Sequence, residues 1–288
     1  MRRRALLQAA ALAPCLALAG PRPPRIVVLD WGLAETLLAL GVVPLGVAEI
    51  DSYHASVVTP RLPSQVVDVG LRLAPSLELL QRLAPELILI NSSQTTQREL
   101  LQRIAPVLTY DVYNQSGTPY RNAQAVTLEL GRLCGCAERA AALVAACAQA
   151  LEQARARIDS ARRQRPVYLL QFFDPRHIGV YGPRSLFQDL FVALGLRNAW
   201  DGPSDYWGIA VAGVERLAAQ PQADLLCLAP LPAGVAEGLA HNPLWQSLPA
   251  VREGRAFMLP AFWGFGMLPS AQRFAASVAT ALGAEGRA

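Results

Sequence analysis

Residues 137–163 read AERAAALVAACAQALEQARARIDSARR, without one glycine or proline and built mostly from strong helix formers. As a single helix this stretch would run roughly 40 Å, at about 1.5 Å per residue. A rod of that length can cross from one folded lobe to another. On both sides of it the pattern is alternation. Before it, the short apolar strands Ile26 to Leu29, Val66 to Val69, Leu87 to Ile90 and Val107 to Tyr110 are separated by helix-like runs at Glu35 to Leu40, Leu77 to Leu83 and Gln97 to Ile104. After Pro166, Val167 to Leu170 begins a second series. Such alternation argues for α/β layers with a largely parallel sheet.

The two series echo each other. ETLLALGVVPLG (35–46) resembles QDLFVALGLRNA (188–199), and SLELLQRLAPELILI (76–90) resembles GVERLAAQPQADLLCL (213–228). The matched order predicts two similar lobes. The expected architecture is α/β, with two lobes (25–133 and 166–286) joined by a single long α-helix over 137–163. A ligand cleft is expected between the lobes, where the C-terminal ends of both sets of strands converge.

The first residues read as an export signal. Arg2, Arg3 and Arg4 precede an Ala/Leu-rich stretch from Ala5 to Ala19, and Ala17-Leu18-Ala19 fits cleavage before Gly20. The paired arginines also allow a twin-arginine route. Cys15 follows Pro14, a poor setting for lipoprotein processing. Removing residues 1–19 takes away three arginines and no acid, leaving 23 basic residues against 22 acidic ones. The apparent basicity thus belongs to the signal, and a nucleic-acid partner loses its main support. No later segment is apolar over the ~18 residues that a membrane helix needs, so a soluble, exported body is expected. Four cysteines remain, Cys134, Cys136, Cys147 and Cys227. They have no metal-ligand spacing and read as buried thiols, although export leaves a disulfide open.

Aromatic residues and one arginine gather at strand ends. Trp31 follows the first strand, Arg72 stands in the turn after Val66 to Val69, and Asn91-Ser92-Ser93-Gln94 follows Ile90. In the second half Trp207 lies in GPSDYWG (202–208), and Trp263 and Phe265 lie in PAFWGFG (260–266). A lone tryptophan is usually core, but glycine-flanked loops pack poorly and free the backbone. Aromatic walls with one guanidinium suit a bulky ligand that exposes oxygen atoms. On pattern alone Arg72 equally suits the surface, or a salt bridge to a helix start such as Glu78. His54, His177 and His241 are scattered and show no metal spacing. There is no phosphate loop and no nucleophile elbow.

RIVVLDWGLAETLLALGVVPLGVAE (25–49), VVDVGLRLAPSLELL (66–80), DPRHIGVYGPRSLFQDL (174–190), NAWDGPSDYWG (198–208) and NPLWQSLP with VREGRAF (242–257) carry a resemblance. They resemble the periplasmic binding proteins of ABC importers for iron(III)–hydroxamate siderophores of the ferrichrome type. The resemblance covers nearly the whole mature chain. It implies a monomeric receptor that captures a preformed iron(III)–siderophore complex. The receptor then hands the complex to an inner-membrane permease driven by a cytoplasmic ATPase. Because hydroxamates already fill the iron's coordination sphere, neither a protein metal ligand nor a cofactor is implied, and no catalysis. Arg72 matches the arginine that donates to the iron-bound hydroxamate oxygens, and Trp207 and Trp263 match pocket walls. Phe265 stands where the family has a tyrosine. Gln94 stands where another pocket tyrosine is expected, and Asp205 where an asparagine is usual. SYHAS (52–56) lacks an expected tryptophan. An acid at Asp205 would favour a cationic siderophore over a neutral one. Glu78 and Glu215, equivalent in the two repeats, match the acidic pair that meets permease arginines, although acids at helix starts are also favoured by the macrodipole. A receptor for cobalamin, haem or a catecholate complex is the alternative within the same architecture. An exported enzyme acting on siderophores is the alternative outside it.

Overall fold

A computed structural model of the chain describes residues 23–283. The export signal read from residues 1–19 lies outside the described residues. In chain order the elements are β1 (Ile26–Val28), α1 (Trp31–Ala39), β2 (Gly46–Val47), α2 (Ile50–Ser56), β3 (Val67–Asp68), β4 (Gly70–Leu71), β5 (Ala74–Pro75), α3 (Leu77–Leu83), β6 (Leu87–Ile90), α4 (Arg98–Gln102) and β7 (Val107–Thr109). Then follow α5 (Pro119–Leu133), α6 (Ala137–Arg157), α7 (Ser160–Arg163), β8 (Pro166–Phe172), β9 (His177–Tyr181), α8 (Leu186–Leu194), β10 (Arg197–Asn198), β11 (Ile209–Gly213) and β12 (Asp224–Leu228). The chain closes with α9 (Val235–Ala240), α10 (Pro243–Ser247), α11 (Pro249–Arg252), β13 (Ala256–Leu259) and α12 (Leu268–Leu282).

Two lobes result. The first sheet has the order β3-β2-β1-β6-β7 and is parallel throughout. The second has the order β11-β9-β8-β12-β13, with β10 beside the start of β8. It is mixed rather than largely parallel, because β9 runs antiparallel to β8 and β11 antiparallel to β9. The cause is local. Asp174 accepts the backbone N–H groups of Arg176 and His177 and bonds the His177 ring at 2.7 Å. DPRH therefore closes a tight hairpin, which only antiparallel neighbours can share.

The central strands β1, β6, β8 and β12 are buried on both faces, which explains their nearly uninterrupted apolar runs. Ile26 and Val28 face a core shared with the second lobe, while Val27 and Leu29 face an outer core. In β8, Val167 and Leu169 join the shared core, and Tyr168 and Leu170 face outward. The shared core is filled by α1, α5, α6, α8 and α12. α6 meets it with Ala140, Cys147, Leu151 and Ala154, a helical stripe. α6 is shorter than the sequence predicts. It stops at Arg157 because Ile158 turns extended (ψ 128°) and bridges Gly283, and α7 restarts after Asp159. At 21 residues it spans about 30 Å. Cys134, Cys136, Cys147 and Cys227 are buried free thiols. Among the described residues no helix is long and apolar enough to cross a membrane.

Candidate functional site

The site forms where strand ends of the two lobes meet. After β3 the chain makes a short hairpin, β4 paired antiparallel to β5, and Arg72 is one of the two residues at its tip. Glu49 enters α2 with a left-handed backbone (φ 54°, ψ 56°) and donates its N–H to Gly70 O at 2.9 Å. This fixes the hairpin against the end of β2. Arg72 Nε donates to Glu49 Oε2 at 3.0 Å, and Arg72 N to Oε1 at 3.1 Å. Its partner is therefore Glu49 and not Glu78.

The Arg72 guanidinium lies 4.0 Å from the Trp31 ring centroid and 5.1 Å from that of Trp263. From there an aromatic arc crosses the cleft. Trp263 meets Phe265 at 5.2 Å, Phe265 meets Trp207 at 5.4 Å, and Trp207 meets Tyr206 at 5.1 Å between centroids. Trp263 and Phe265 border a cleft of about 330 Å³, with Ser56, Gln171, Tyr181 and Pro230 on its other walls. On the other side of Phe265 a smaller recess is lined by Asp30, Asn91, Ser92, Tyr113 and Trp207.

Glycines make these loops. Gly208 has φ +81°, and a side chain there would collide with the Ser185 backbone. A Cβ on Gly32 would stand 2.9 Å from Phe265 O, so glycine lets the start of α1 approach the Trp263 loop.

The structure links Arg72, Trp263, Phe265 and Trp207 in one chain of ring contacts: Arg72 lies on Trp31 and Trp263, Trp263 and Phe265 line the larger cleft, and Phe265 and Trp207 line the recess. Trp31 needs correcting. The sequence places it in a loop, but Asp30 accepts the Leu33 N–H and caps α1, so Trp31 is the first helical residue. It is 2% exposed and donates to Ala48 O at 2.9 Å. It forms the floor beneath Arg72 rather than a wall. Gln94 is also not a pocket residue. It is buried, its amide donates to Leu29 O, and its oxygen accepts the Asn91 N–H in a capping box. Asp205 Oδ1 accepts the N–H groups of Trp207 and Ile209, so it builds the turn that presents Trp207. Glu78 (on α3) and Glu215 (in the 3-10 turn Val214–Ala219) are exposed, and neither has a salt-bridge partner among the described residues.

Three groups escaped the sequence reading. Glu49 sits at a strand end like the others but precedes no glycine-rich loop. Tyr113 is buried, and its hydroxyl donates toward Gly264 O and Gly266 O at 3.2 and 3.1 Å, tying the lobes beneath the arc. Asp30 is a buried carboxylate facing the recess. Burial pushes its acid up, while the Leu33 N–H, Asn91 and Arg72 pull it down. The sole strand-end signal for Asp30 and Tyr113 was their place beside Trp31 and after Tyr110. Among the described residues no group of three or more His, Cys, Asp or Glu side chains is placed to hold a metal ion.

Residues 26–261 match the model of the "Periplasmic binding protein" family. The chain belongs to that family. As a periplasmic binding protein it is 36% identical over 287 residues to the iron(3+)-hydroxamate-binding protein FhuD of Escherichia coli, covering 98% of this chain and 96% of the relative. It is similar in structure to FhuD from Vibrio cholerae bound to Fe3+–Desferal, with TM-score 0.85, 29% identity, and coverage of 90% and 98%. The triscatecholate-siderophore binding protein FeuA of Bacillus subtilis shares the fold, with TM-score 0.72, 17% identity, and coverage of 91% and 94%.

Proposed function

We propose that this protein is a periplasmic receptor that captures iron(III)–hydroxamate siderophores and delivers them to an ABC permease. The observation that carries the reading is the half-buried Arg72, laid on Trp31 and Trp263 at the rim of an aromatic cleft. Its Nη groups have no hydrogen-bond acceptor among the described residues. Full-length similarity to a hydroxamate-binding relative supports the ligand class.

The mechanism is binding. Iron arrives already wrapped by hydroxamate oxygens, so the protein supplies neither metal ligands nor a cofactor. Arg72 donates to the oxygen face of the complex, and its charge persists at any relevant pH. Trp263, Phe265 and Trp207 pack the organic arms with little demand on their exact shape. A cleft of about 330 Å³ lies at the small end of ligand pockets, so part of a bulky complex stays outside it. Glu78 and Glu215, exposed and without a salt-bridge partner among the described residues, are the groups that meet arginines of the permease, which a cytoplasmic ATPase drives. The receptor acts as a monomer in the periplasm after export on its N-terminal signal, and it has no catalytic role.

The test is tryptophan fluorescence of the mature protein titrated with ferrichrome, ferrioxamine B, ferric enterobactin and cobalamin, beside Arg72→Ala. Saturable quenching by a hydroxamate, weakened in the variant, is the expected result. A response to cobalamin or enterobactin alone would remove the hydroxamate assignment.

A further inference from the structure

Arg72 does not stand free over its aromatic floor. Glu49 takes both its Nε–H and its backbone N–H, at 3.0 and 3.1 Å. Glu49 itself is held in the left-handed region, with its own N–H on Gly70 O. A non-glycine residue kept in that conformation calls for a reason. We propose that Glu49 is the positioning residue of Arg72, and that by neutralising it Glu49 biases the cleft against ligands of net negative charge. This inference rests on the receptor reading above.

Arginine carries five N–H donors in one plane. Glu49 occupies the Nε–H edge, Trp31 and Trp263 hold the plane, and the Nη groups are left for a ligand. A side chain aimed before binding loses less freedom on binding. The same carboxylate offsets the arginine's charge, and Asp51 and Asp68 share a surface recess with it. A neutral complex meets oriented donors without a strong field. An anionic complex meets a cation that already has its counter-charge.

An exposed salt bridge without a role would look similar in a static view, so the test must separate the two. Binding of ferrichrome (neutral) and ferric citrate (anionic) is measured by tryptophan quenching in wild type, Glu49→Gln, Arg72→Ala and the double variant. Loss of aiming should weaken ferrichrome binding in Glu49→Gln by about threefold to tenfold. Removing one unit charge roughly 7 Å from the ligand should favour ferric citrate by about threefold at the dielectric of water. The ratio of the two affinities therefore falls in Glu49→Gln. In the Arg72→Ala background, Glu49→Gln should change ferrichrome binding by less than about twofold. Glu49→Asp keeps the charge but shortens the reach, so it should lose ferrichrome affinity without shifting the balance toward ferric citrate. It also serves if Glu49→Gln fails to fold. Unchanged ferrichrome binding in Glu49→Gln, or an equal loss with and without Arg72, overturns the proposal. If wild type binds no ferric hydroxamate at all, the receptor reading falls first, and this one with it.

Discussion

Glu35 offers a prediction whose size follows from its surroundings. It lies on α1 in the first lobe, fully buried, and reaches the start of α12 in the second. Its Oε1 accepts the Met267 N–H at 2.7 Å, and its Oε2 accepts the Ser270 hydroxyl at 2.9 Å and approaches Arg273 Nη2 at 3.4 Å. Burial nevertheless wins, and the carboxyl is pushed up from 4.5 to about 7, against the pull of Met267 N–H, Arg273 and Ser270. A raised acid binds its proton more tightly in the folded state. Its stabilising effect is therefore full below pH 4.5 and is lost as pH rises through about 7. At about 1.4 kcal/mol per pH unit, the swing is about 3 kcal/mol. Glu35→Gln keeps an acceptor for Met267 N–H but does not titrate. Urea unfolding of both proteins at pH 5, 6, 7 and 8 should show the wild type losing stability relative to the variant as pH rises. Other titrating groups cancel in the difference when they lie far from the change. Parallel stability curves across that range would refute the reasoning.

Three further outcomes follow from the site. Arg72→Ala should weaken ferric hydroxamate binding about tenfold to a hundredfold, the value of one hydrogen bond from a charged donor; isothermal titration calorimetry measures it. Glu78→Ala and Glu215→Ala should each abolish siderophore-dependent growth while leaving the purified protein's ligand affinity unchanged, and a lost affinity would count against a docking role. Asp205→Asn should leave folding intact, because an amide oxygen can accept the same Trp207 and Ile209 N–H bonds. If the acid attracts cationic ligands, its loss should lower the preference for ferrioxamine B over ferrichrome in paired titrations.

The parts legible in the sequence were those written in local pattern. The helix at Leu77–Leu83 and the strand at Leu87–Ile90 fall where the apolar spacing places them. The glycine-flanked loops carry Trp207, Trp263 and Phe265 into one aromatic arc. The errors have a common physical source. Trp31 reads as a loop residue until Asp30 is seen to cap a helix that starts one residue later. The stretch 137–163 has uniform helix propensity, but a tertiary bridge from Ile158 to Gly283 ends the helix at Arg157. Glu49 lies 23 residues from Arg72 in sequence, and only the pairing of β2 with β3 brings the two together. Propensity reports neighbours along the chain, whereas these features depend on neighbours across it.

The same cross-chain bonds bear on how a ligand is held. Besides Glu35, the lobes are joined by Tyr113 to Gly264 and Gly266, by Tyr206 to Tyr113 O at 2.7 Å, by Arg184 to Asn114 O at 3.2 Å, and by Tyr120 N–H to Asp189 at 3.0 Å. Several of these ties lie directly beneath the aromatic arc, and the shared helical core backs them. A wide hinge closure would break them together, so ligand capture must work largely with the cleft as it stands. Affinity then rests on orientation fixed in advance. On the receptor reading proposed above, that places the energetic weight on whatever holds Arg72 and the tryptophans still before the ligand arrives: the Trp31 floor, the Asp205 turn and Glu49.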